Sequence, residues 1–212
     1  GNDDGSAGTT ALTLDMSAAG AATFNAGVTA SQLAITSAST ADTATFTRGT
    51  NGQNNILKFV TGSTADWIVG ERNDSTSDFR FYSYGTSSDV LSIARATGNV
   101  GIGETVPLGK LHIKEGDSGV SSVNSNFDQL VIEDDAHSGM TICSGTGSDG
   151  GIYFADSGGN NRGQFKYQHG GDNFSFTTAN GSEAMRIDSS GNVGIGTTPT
   201  VSYSAYSSFE IG

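Results

Sequence analysis

The sequence contains one cysteine, two prolines, one tryptophan and few basic residues. A single cysteine, Cys143, excludes an internal disulfide and a zinc site built from several thiolates. As a lone thiol it reads as a buried, small apolar side chain. Scarce proline matters because glycine is abundant, at 31 residues. Disordered low-complexity chains are rich in both, so this is a different kind of bias. Apolar residues nowhere run on for the ~18 positions that a transmembrane helix needs, so no membrane insertion is expected. Lys and Arg number 10 against 22 Asp and Glu, leaving a net charge of −12. No basic stripe is present, which excludes nucleic acid as a partner. Such acidity suits the solubility of a large assembly. Neither an initiator Met nor a signal peptide opens the chain, and "GNDDGSAGTT" (1–10) reads as the middle of a pattern, so a piece of a longer chain is expected.

Leu, Ile, Val and Phe make up about a fifth of the chain, close to the limit at which a chain can bury a core alone. Ser, Thr, Asn, Gly and Ala dominate instead. That composition favours strands joined by tight turns over long helices.

A repeat organises the chain. The string GNVGIG begins at Gly98 and again at Gly191. The match extends upstream: "DFRFYSYGTSSDVLSIARATGNVGIG" (78–103) parallels "DNFSFTTANGSEAMRIDSSGNVGIG" (172–196), and "ILKFVTGS" (56–63) parallels "GIYFADSG" (151–158). Phe79 and Phe81 correspond to Phe174 and Phe176, and Leu91 and Ile93 to Met185 and Ile187. Four segments follow: a short repeat (1–39), a β module (40–113), a linker (114–128) and a second β module (129–212).

Within each module the apolar residues alternate with period two, as on half-buried strands. Asp188-Ser189-Ser190-Gly191 fits a type I turn followed by a left-handed glycine. Val193 and Ile195 share one face of the return strand. Gly194 and Gly196 leave the other bare, so that another backbone can approach closely. The first module has Ala94 where the second has Asp188, so the two turns need not be identical. A lone hairpin is marginal in water. Three copies packed about an axis, with Val100, Ile102, Val193 and Ile195 pointing inward, would bury the aliphatic face; a dimer or a filament would bury it too.

No site stands out. GNVGIG lacks the Gly-Lys-Ser/Thr ending of a phosphate loop and leads into no helix, so no nucleotide or other cofactor is expected. Gly145, Gly147 and Asp149 partly match a calcium-binding nonapeptide, but a single copy reads as an ordinary turn. The acidic runs 133–135 and 2–4 read as solvated loops rather than Ca²⁺ ligands. His112, His137 and His169 are far apart, and only folding or a three-fold axis could gather them on a metal; no metal site is expected. No carboxylate pair can be singled out for glycoside cleavage, and no Ser/His/Asp spacing is distinctive, so no catalytic residue is assigned. Trp67 alternates with Val69 and reads as a core or interchain residue rather than a sugar platform. Tyr203, Tyr206 and Phe209 sit where "KLHI" (110–113) follows the first NVGIG, and read as the opening strand of a next module rather than a glycan site.

The phrase "GSEAMRIDSSGNVGIGTTP" (181–199), the wider stretch 150–199 and "ALTLDMSAAGAATFNAGVTASQLAI" (11–35) resemble the shaft repeats of tailed-bacteriophage tail fibres. Fibres of this type often end in an endosialidase-type self-cleaving chaperone. Its Ser-Lys chemistry is not recognisable here, so that domain is expected to have been removed or never present. The resemblance implies an all-β, elongated homotrimeric fibre of short antiparallel strands and hairpins, like a β-prism or triple-stranded β-helix. It implies a non-enzymatic virion or extracellular protein that projects a host-receptor-binding tip and adds adhesion of its own. Its partners would be its own copies, other tail or fibre proteins and host surface polysaccharide. The rival readings are a glycan-binding adhesin, a repeat-built extracellular filament and, last, a polysaccharide depolymerase fragment.

Overall fold

A computed structural model describes residues 45–179, 181–199 and 209–211. The runs 1–39 and 2–4, Tyr203 and Tyr206 lie outside these. The described residues are all-β, with no helix. Seven strands form a first sheet in sequence order: β1 (Asn55–Thr61), β2 (Thr64–Glu71), β3 (Phe79–Ser83), β4 (Ser88–Ile93), β5 (Val100–Ile102), β6 (Leu111–Lys114) and β7 (Leu130–Glu133). Six more form a second: β8 (Asp149–Asp156), β9 (Gly159–Gln168), β10 (Asn173–Thr178), β11 (Ser182–Ile187), β12 (Val193–Ile195) and β13 (Phe209–Ile211). No strand of one sheet packs on a strand of the other.

The two sheets repeat each other in register. Phe81 faces Leu91 as Phe176 faces Met185, and Phe79 faces Ile93 as Phe174 faces Ile187. A β-bulge follows Phe81 in one and Phe176 in the other. The hairpins at the opposite edges also match, each with an irregularity after its outer Phe, Phe59 or Phe154. The turn chemistry is as the sequence suggests. Gly191 N–H donates to the Asp188 carbonyl at 3.0 Å with Gly191 at φ 81°. Asp188 Oδ1 accepts from the N–H groups of Ser190 and Asn192, both at 2.9 Å.

The strands are not all antiparallel. After each NVGIG the chain crosses and returns parallel: β5 pairs with β6, β6 with β7, and β12 with β13. The cause is the bare glycine face. A Cβ on Gly101 would lie 2.0 Å from the Glu104 carbonyl oxygen, and one on Gly194 2.2 Å from that of Thr197. The backbone that approaches is therefore the chain's own next loop, which folds back over the sheet and turns the hairpin into a crossover. Phe209 in β13 occupies the place of Leu111 in β6, the opening strand expected there.

Candidate functional site

Each sheet has two unlike faces, and the covered one is polar. In the first sheet one row runs Gly70–Arg80–Ser92–Gly101–His112–Val131 across six strands. Arg80, Ser92 and His112 are buried. Ser92 Oγ donates to the Glu104 carbonyl of the covering loop. Arg80 is ringed by Asp74, Asp89 and Asp78 at 2.6, 3.0 and 3.3 Å. Burial would raise the Asp78 carboxyl, but bonds from Arg95 N–H, Thr76 and Arg80 outweigh it and hold it below the usual range.

His112 is 0% exposed. Its Nδ1 accepts from Leu108 N–H at 3.2 Å, and its Nε2 lies 2.9 Å from Glu133 Oε2, without hydrogen-bond alignment. The Ser118 hydroxyl, with Ser118 N–H and the Lys114 charge, keeps the Glu133 carboxyl below its ordinary value. Glu133 is thus a buried partner and not part of a solvated acidic loop; Asp134 is half-buried and Asp135 exposed. His137 is exposed, and His169 packs edge-on against Tyr167. The fold does not gather the three histidines. Among the described residues no group of three His, Cys, Asp or Glu side chains is placed to hold a metal ion.

The opposite faces are apolar and open. In the first sheet one row runs Leu57–Val69–Phe81–Leu91–Ile102–Ile113–Ile132. A neighbouring row carries Phe79, Ile93, Val100, Leu111 and Leu130. In the second sheet the rows run Ile152–Phe165–Phe176–Met185–Ile195–Ile211 and Tyr167–Phe174–Ile187–Val193–Phe209. Val100, Ile102, Val193 and Ile195 all lie on these faces. Phe165 stacks on Phe174 at 5.5 Å and meets Phe176 at 4.8 Å, so the rings hold one another but not a second layer. Ile195 is 40% exposed, and Trp67, opposite Phe59, is as open. Ile68, on the polar side, is the one buried hydrophobic side chain among the described residues.

Cys143 is exposed, which corrects the expectation of a buried thiol. It sits in the segment that joins the two sheets, outside any strand, and no neighbouring layer covers it. Gly145 and Gly147 form a plain turn, with Ser148 N–H donating to the Gly145 carbonyl at 2.8 Å, and Asp149 pairs with Lys166 at 3.0 Å. Sequence reasoning missed the buried polar rows. Their only signal was the bare face of Gly101 and Gly194, which announces a close backbone without saying whose.

No protein-family model matches the chain, and no curated protein matches it.

Proposed function

We propose that the chain is a structural segment of a tail fibre of a tailed bacteriophage, assembled as a homotrimer, that holds a receptor-binding tip away from the particle. One observation carries this reading: both sheets are single layers whose polar faces are partly covered by the chain's own loops at Gly101 and Gly194, while nothing covers their apolar faces. Contiguous apolar surface of that extent on a soluble protein marks an interaction site. Because the same face recurs in both modules, the partner must also repeat, and a second copy of the chain in parallel register meets that need without further components. The resemblance of 150–199 to fibre shaft repeats selects three copies over two. Work of this kind is mechanical and uses no catalytic group.

Sedimentation equilibrium of the chain at micromolar concentration is expected to give three times the chain mass, with elongated particles in negative-stain micrographs. A monodisperse monomer would contradict the reading.

A further inference from the structure

The internal repeat supplies a control for a second surface. On the polar face of the first sheet, one row runs Lys58–Ile68–Tyr82–Asp89. The matching row of the second sheet runs Tyr153–Gln164–Thr177–Glu183. One row further in, Arg80 is matched by Ser175. The first sheet fills this place: Ile68 is buried and Arg72 stacks on the Tyr82 ring at 4.0 Å. The second sheet empties it. Gln164, Ser175 and Thr177 are shorter or more polar than their counterparts, and a groove of about 610 Å³ opens there.

The groove has unmet polar groups. Ser175 and Thr177 both line it, at 1% and 8% exposure, and neither hydroxyl has a hydrogen-bond partner. A buried hydroxyl without a partner is costly, so native structures pair it with protein, ordered water or ligand. The rest of the wall includes Asn161 and Gln164, whose amides bond each other and keep further donors and acceptors, with Lys166 and the ring of Tyr153. Amides and hydroxyls both donate and accept, as a ligand dense in hydroxyls requires. The charges are already matched, Lys166 with Asp149 at 3.0 Å and Glu183 with Arg186 at 2.7 Å. With a net charge of −12 on the chain, an anionic ligand gains nothing here.

We infer that the polar groove on β8–β11 of the second sheet binds a neutral saccharide, with Ser175 and Thr177 as its floor and Tyr153 as a ring platform. The groove lies opposite the apolar face, so the inference does not depend on which partner covers that face.

Saturation-transfer NMR on the full chain, with maltotriose, mannotriose and chitotriose as neutral probes and sialyllactose as an anionic one, tests it. At least one neutral probe is expected to bind. The double variant Gln164→Ile, Thr177→Tyr copies the first sheet and fills the groove; it is expected to weaken that binding at least tenfold with circular dichroism and sedimentation unchanged. Because the first sheet carries the same side chains in the same register, the variant has a precedent for folding. The inference is overturned if none of the neutral probes binds, if only sialyllactose binds, or if the folded variant binds as well as the parent. A control variant on the exposed loop between β5 and β6 of the first sheet, Val106→Ala, separates loss of the groove from general damage: equal weakening by both would also overturn it.

Discussion

Asp188 and Ala94 occupy the same place in two copies of one hairpin, and they close it differently. Asp188 spans a four-residue turn and binds Asn192 through both carboxylate oxygens. Ala94 has no such group; its turn is one residue longer, with Gly98 N–H donating to the Ala94 carbonyl at 2.8 Å. Asp78, from a neighbouring loop, supplies the missing acceptor by taking a bond from Arg95 N–H at 2.8 Å. The Asn192 side chain, followed by the Asn192 and Ser190 N–H groups, holds the Asp188 carboxyl below its ordinary value. A depressed folded pKa contributes stability that is present above the unfolded value, near ~4, and is lost as pH falls through the folded one. Asp188→Ala is therefore expected to lower the melting temperature at pH 7 and to flatten its fall between about pH 5 and pH 2. Thermal melts across that range check it; an unchanged acid limb would show that the carboxylate is not linked to folding.

At the scale of strands, period two made the alternating faces legible, since Phe79 and Phe81, Phe174 and Phe176, and Val193 and Ile195 each had to share a side. Which face the chain would cover for itself was not legible. Polarity suggests that the apolar side goes inward, yet the loops at 103–109 and 197–199 fold over glycines on the polar side, where no side chain bars them. The parallel return of β6 and β13 follows from the same crossover and has no local signature in the strands themselves. The open rings carry a prediction of their own. If copies of the chain cover Phe81 and Phe176, truncation of either to Ala costs about 3–5 kcal/mol, as for a core aromatic. If water covers them, the change stays within about 0.5 kcal/mol. Urea unfolding at fixed protein concentration distinguishes the two, and the larger cost is expected.

For the molecule as a whole, the repeat was readable from GNVGIG outward because both copies keep the same hairpin and bulge positions. The groove of the second sheet was not, although its signal was present: Gln164 and Thr177 stand where the first copy has Ile68 and Tyr82, a difference that acquires meaning only once register places the four residues on one face. Cys143 shows the same limit, since a small thiol is buried only if a layer lies over it, and a single-layer sheet offers none outside the loops. In the proposed assembly, sibling chains shelter the apolar rows. Intermolecular methyl NOEs in a sample mixed from isotope-labelled and unlabelled chains test this most directly. Cross-chain contacts are expected at Ile102, Ile195 and Met185, with none at Val131 on the polar face; contacts at Val131 alone, or none at any methyl group, would contradict it.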